Sequence, residues 1–94
     1  MTPEEELKRG HAAKRLLDDA TYKEAHDVIR ERIVSQLSLA ETTGDKRERL
    51  NSLLIALSSV HKYMEQVALG GKMAAEQIER DKTFAERVGE RLRA

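Results

Sequence analysis

Apolar residues recur every three or four positions along most of this chain, the spacing that places them on one face of an α-helix. Steps of four and three residues pick out a long stripe in the C-terminal half: Leu53, Leu57, Val60, Met64, Val67, Gly71, Ala74, Ile78, Asp81, Ala85, Val88 and Leu92. Ten of these twelve positions are apolar, Gly71 and Asp81 being the exceptions. A period of about 3.5 residues kept over this length is typical of a coiled-coil seam.

Two shorter helices are predicted ahead of that stripe. Thr2 can cap a first helix that begins at Pro3 and runs to residue 17. Asp19 can cap a second helix over residues 20–40. One face of this second helix is formed by Tyr22, Ala25, Ile29, Ile33, Gln36, Leu37 and Ala40.

The segment 41–45 is the clearest loop, and Asp45 with Glu48 has the spacing of a capping box that opens a third helix. Because this connection is short, the helices over 20–40 and 46–69 should form an antiparallel hairpin. The fold class is therefore all-α, with an N-terminal helix over 3–17 added to the hairpin. We expect one helical domain over residues 1–94, comprising a bundle (1–69) and an extension (70–94).

Gly70 and Gly71 interrupt the stripe and leave two alternatives open. The chain could break there and fold back as a fourth helix, or the third helix could continue, straight or bent, to about residue 93. The flanking sequence favours continuity, because no proline follows and no Ser, Thr, Asn or Asp is placed to cap a new helix.

A continuous third helix would be about 70 Å long, whereas the second helix would cover about 30 Å of it. The distal stripe then lacks an intrachain neighbour, and pairing with other copies is the natural way to bury it. We therefore expect a homo-oligomer. The candidate self-association residues are Val67, Gly71, Ala74, Ile78, Val88 and Leu92.

Composition excludes several functions. Lys plus Arg and Asp plus Glu number 17 each, so the chain has no bulk attraction to nucleic acid or anionic lipid. Absence of cysteine excludes disulfides and thiol catalysis. The longest apolar-leaning run, residues 50–60, is too short to cross a bilayer, and the acidic N-terminus is unlike a signal peptide. We expect no membrane association.

No residues are arranged for catalysis or for holding a metal or cofactor. His11, His26 and His61 are isolated in sequence, and Gly70-Gly71-Lys72 lacks the pattern of a phosphate loop. We therefore predict a protein that is not an enzyme. The basic residues of the first helix, Lys8, Arg9, Lys14 and Arg15, allow an alternative reading as a nucleic-acid patch, which is not favoured because most basic clusters alternate with acids.

Two segments, "AAKRLLDDATYKEAHDVIRERIVSQL" and "RERLNSLLIALSSVHKYMEQVALGGKMAAEQI", resemble a group of short helical proteins encoded by tailed phages and prophages. The resemblance covers about residues 12–78 and consists mostly of helix-packing positions. Ala20-Thr21 replaces the proline that usually precedes the aromatic residue. Members tend to be encoded among virion and DNA-packaging genes, so the resemblance implies a non-enzymatic role in the host cytoplasm or the virion.

The leading hypothesis is a phage-encoded helical adaptor or assembly protein. It would oligomerise and bind another phage or virion protein in virion assembly or DNA packaging. A nucleic-acid-binding protein, either small-terminase-like or regulatory, is the competing hypothesis. A third is a phage inhibitor of a host protein.

Overall fold

The structure is a computed structural model that describes residues 1–93. Within these residues it contains three α-helices. They are α1 (Pro3–Asp18), α2 (Ala20–Leu37) and α3 (Gly44–Arg93). The predicted all-α fold is confirmed, with a helical hairpin, an N-terminal helix and a long third helix. The second helix ends at Leu37, three residues before the predicted end, and residues 38–43 connect it to α3.

Both short helices begin where their capping residues predict. The Thr2 hydroxyl accepts a hydrogen bond from the Glu5 amide at 3.2 Å, and Pro3 is the first residue of α1. Oδ1 of Asp19 accepts a hydrogen bond from the Tyr22 amide at 2.8 Å. Each side chain satisfies an amide that has no partner within its own helix.

The hairpin connection differs from its prediction at the start of α3. The helix begins at Gly44, whose φ of 59° is a conformation that glycine adopts without strain. Asp45 consequently lies inside the first turn and contributes its charge to the positive helix end, instead of capping the helix from outside. Arg47 donates a hydrogen bond to the Leu37 carbonyl at 3.1 Å, which ties the start of α3 to the end of α2.

The third helix continues without a break through Gly70 and Gly71, as the flanking sequence predicted. Its 50 residues make the molecule a rod measuring 79 × 25 × 17 Å. The radius of gyration is 21.5 Å, whereas a compact domain of this length has one of about 12 Å.

The core is small and consists of two separate contacts along α3. Helix α1 packs extensively against the middle of α3 around Gly71, and α2 packs more thinly against its N-terminal part between Arg47 and His61. The buried hydrophobic side chains are Ala13, Ile33, Leu50 and Ala74. The accessible surface is 7708 Å², against about 5500 Å² for a compact monomer of this mass. Much apolar surface therefore stays in contact with solvent.

Candidate interaction surfaces

Two glycines bring helices α1 and α3 into close contact. A Cβ added to Gly10 of α1 would lie 2.5 Å from Cα of Gly71 and 3.2 Å from the Val67 carbonyl oxygen. Only residues without a side chain allow the two backbones to approach this closely. Gly71 is therefore a helix-crossing position, and its neighbour in the described chain is α1.

We call the stripe of α3 residues identified from the sequence the seam. Helix α1 covers the middle of the seam at this crossing. Gly71 and Ala74 are buried there, and the flanking seam residues Val67 and Ile78 are half-buried. On either side, parts of the seam are exposed. Val60 is 58% exposed before the crossing, and further along the chain Val88 is 39% exposed.

The predicted self-association residues consequently separate into two groups. Val67, Gly71 and Ala74 lie in the part of α3 that α1 covers within the same chain, so they are not available to a second copy in this arrangement. Val88 and Leu92 remain exposed, and Ile78 lies at the boundary. Self-association through these last three residues stays a prediction.

Gly10 is a contact residue that is absent from the candidates predicted from the sequence. A signal was present. Gly10 and Ala13 in α1 have the same spacing as Gly71 and Ala74 in α3, and all four residues are buried. Matching pairs of small residues on two helices are typical of a close crossing.

The distal part of α3, residues 79–93, extends beyond this crossing, and we call it the rod. Its large apolar side chains are exposed: Phe84 (69%), Val88 (39%) and Leu92 (83%). The rod is otherwise rich in charges of both signs: Glu79, Arg80, Asp81, Lys82, Glu86, Arg87, Glu90, Arg91 and Arg93. It thus combines a narrow apolar stripe with a mixed polar surface, as two-stranded coiled coils do.

The basic residues of α1 do not form one patch. Lys8, Lys14 and Arg15 line a shallow groove of about 460 Å³ together with His11 and Asp18. Lys14 pairs with Asp18 at 3.6 Å. Arg9 lies elsewhere on the helix and donates a hydrogen bond to the Tyr63 hydroxyl of α3 at 3.1 Å. Only three of the four predicted nucleic-acid residues therefore share a surface.

A cluster of rings joins α2 to α3. His26 and His61, which are isolated in sequence, have ring centroids only 4.8 Å apart. The Tyr22 hydroxyl lies 3.3 Å from Nδ1 of His61, whose Nε2 lies 3.0 Å from Glu65. His26 and His61 are far apart in sequence, and hairpin pairing brings their rings together.

This ring cluster is a packing feature of the hairpin. Within residues 1–93, no group of three or more His, Asp or Glu side chains is arranged to hold a metal ion. The buried Nε2 of His26 has no hydrogen-bond partner among the described residues, so the ring contributes mainly by filling space.

Among the helices of residues 1–93, none has an apolar stretch of the length that crossing a bilayer requires.

Comparisons with protein-family models, with curated proteins and with solved structures found no match to this chain.

Proposed function

We propose that this chain is a non-enzymatic helical adaptor that self-associates through the rod and presents its other helix faces to a partner protein. The observation that carries the proposal is the exposed apolar stripe of the rod, where Val88 and Leu92 continue the seam beyond the end of the α1–α3 contact.

Helix energetics support an external partner for the rod. An isolated helix of about 15 residues is only marginally stable in water, because most helical stability comes from packing an apolar face. No other element of the described chain covers the apolar positions of the rod. Burying one large aliphatic or aromatic side chain contributes about 1.5–3 kcal/mol. Pairing two rods would bury several such side chains and would stabilise the helix.

The total surface supports the same proposal. The chain exposes roughly 2200 Å² more than a compact monomer of equal mass would. This excess is as large as the area buried in many permanent protein interfaces. Within residues 1–93 only four hydrophobic side chains are buried, so association would add buried apolar area that the chain itself lacks.

The biological setting that we propose is virion assembly or DNA packaging in a tailed phage. It follows from the resemblance of residues 12–78 to short phage-encoded helical proteins and from nothing else on the molecule. In that setting the protein would link copies of another phage protein. The hairpin would be the part that contacts this partner. Leu53 and Ile55, in the N-terminal part of α3, are exposed there.

Solution mass tests self-association. Light scattering over a wide range of concentration should give a mass above the 10.7 kDa of one chain. Val88→Glu should lower the mass to that of one chain, because it places a charge on the apolar stripe. Thr83→Glu is the matched control, since Thr83 lies on the opposite side of α3 from the seam. A single-chain mass at every concentration would contradict the proposal.

Nucleic-acid binding is the second candidate, and the groove lined by Lys8, Lys14 and Arg15 is the observation in its favour. The balanced net charge and the Lys14–Asp18 ion pair weaken it. Binding to duplex DNA measured at two salt concentrations separates the candidates. Strong binding that falls with salt and is lost in Lys14→Glu/Arg15→Glu would favour this second function.

A further inference from the structure

We infer that the contact between α2 and α3 is sensitive to pH, because it holds the rings of His26 and His61 together and weakens when those rings are protonated. Histidine is the side chain that ordinarily changes its charge between about pH 5 and 8. Three observations carry the inference: the buried nitrogen of His26, the distance between the two rings, and the positions of the nearby carboxylates. The inference concerns the hairpin alone and does not depend on self-association through the rod.

The ring of His26 is packed in a way that suits its neutral form. Its side chain is only 18% exposed, and Nδ1 lies 3.7 Å from the Asp27 carboxylate. The buried Nε2 has no hydrogen-bond partner among the described residues. A neutral ring with its proton on Nδ1 leaves a lone pair at Nε2, whereas a protonated ring carries N–H at both nitrogens. A charged donor that is buried without an acceptor destabilises the packed arrangement.

The ring of His61 faces His26 from α3, with ring centroids 4.8 Å apart. Its Nε2 lies 3.0 Å from the Glu65 carboxylate, and its Nδ1 lies 3.3 Å from the Tyr22 hydroxyl. A neutral ring can donate from Nε2 to Glu65 and accept the Tyr22 O–H at Nδ1. Protonation removes that acceptor between the helices. It also places a second positive charge beside His26, and like charges at this separation repel.

The two carboxylates near the rings do not cancel this effect. Asp27 follows His26 directly in α2, and Glu65 lies one helical turn after His61 in α3. Each carboxylate attracts the protonated ring of its own helix whether or not the helices are packed together. The repulsion between the rings acts only in the packed state. Among residues 1–93, no other charged side chain forms an ion pair with either ring.

The contact that protonation weakens is a thin one. Ile33 is the buried hydrophobic residue of α2, and Arg47 donates a hydrogen bond to the Leu37 carbonyl at the loop end of the hairpin. A contact with so little buried apolar area responds to a small change in free energy. Because the separated helices bind protons more readily than the packed ones, the stability of the contact falls as pH falls. The α1–α3 crossing lies outside the ring cluster and should not respond in this way.

Hydrogen exchange of the unmodified protein at about pH 7.5 and about pH 5.5 tests the inference. Protection factors are compared, because they correct for the direct effect of pH on the exchange rate. Protection of the α2 amides should fall by about tenfold at the lower pH, whereas that of residues 67–75 should change little. Equal protection of α2 at both pH values would overturn the inference. A fall of the same size in α2 and in residues 67–75 would also overturn it.

Substitutions identify the rings responsible. His26→Phe keeps an aromatic ring and cannot be protonated, so protection of α2 should become nearly independent of pH. His61→Phe removes the other ring of the pair, should also reduce the response, and provides the comparison if His26→Phe does not fold. His11→Phe is the matched control, because His11 is exposed on α1 and should leave the full response intact. A response that persists unchanged in both His26→Phe and His61→Phe would contradict the assignment to this pair.

Discussion

Gly10 and Gly71 bring the backbones of α1 and α3 into direct contact. A Cβ added to Gly71 would lie 2.6 Å from Cα of Gly10 and 3.2 Å from the carbonyl oxygen of Glu6. Both of these neighbours are backbone atoms, which cannot move aside as a side chain does. The crossing therefore tolerates no side chain at either glycine.

Gly71→Ala should destabilise the protein, because the helices must separate to admit the methyl group. Overpacking of this kind costs about 1–3 kcal/mol, partly offset by the gain of about 1 kcal/mol from replacing a helical glycine. The midpoint of thermal unfolding, followed by circular dichroism, should fall.

Gly70→Ala is the matched control for that substitution. A Cβ at Gly70 meets no atom within 4 Å, so only the gain in helix propensity remains. This variant should unfold at a higher temperature than the unmodified protein, by up to about 1 kcal/mol in stability. If both alanines raised the midpoint equally, α1 would not cross α3 at these glycines.

A second prediction concerns Asp19, the residue that caps α2. Asp19→Ala removes the acceptor of the Tyr22 amide and should cost about 1 kcal/mol in the free energy of unfolding. Asp18→Ala removes only the exposed pair with Lys14 and should cost less than about 0.5 kcal/mol. Urea denaturation of the two variants gives both values, and equal losses would contradict a specific capping role for Asp19.

Thr42 provides a substitution that should not lower the free energy of unfolding, in contrast to Asp19→Ala. It is the most buried residue of the connection between α2 and α3, and its hydroxyl has no hydrogen-bond partner among the described residues. Thr42→Val keeps the shape and removes the unpaired group, so stability should stay equal or rise by about 1 kcal/mol. The exposed neighbour provides the control, because Thr43→Val should leave urea denaturation unchanged. A clear loss in Thr42→Val would show that the hydroxyl is hydrogen-bonded in solution.

Local stability should differ sharply along α3. Amides of the rod should exchange hydrogen faster than those of residues 67–75 at low protein concentration, because residues 67–75 pack against α1. Raising the concentration should slow exchange in the rod if two rods pair. Gly89→Ala should also slow it, since a Cβ there meets open space and improves helix propensity. Uniform exchange along α3 at low concentration would contradict this prediction.

Local sequence signals determined the helices of this protein. Thr2, Pro3 and Asp19 mark where α1 and α2 begin, because capping depends on residues only a few positions apart. The absence of a cap or proline after Gly71 predicted that α3 continues, for the same reason. The end of α2 was less well marked, and the helix stops at Leu37 instead of near Ala40.

Only the tertiary structure decided which surfaces meet. The sequence showed that something packs at Gly71 but suggested a second copy, whereas Gly10 of the same chain lies there. It also left His26 and His61 apart, although hairpin pairing places their rings together. Periodicity identifies a face of a helix from near neighbours, but the element that covers that face depends on the packing of the whole chain. Local spacing determined the apolar stripe. Packing of the whole chain decided that α1 covers the middle of that stripe and leaves Val88 and Leu92 exposed.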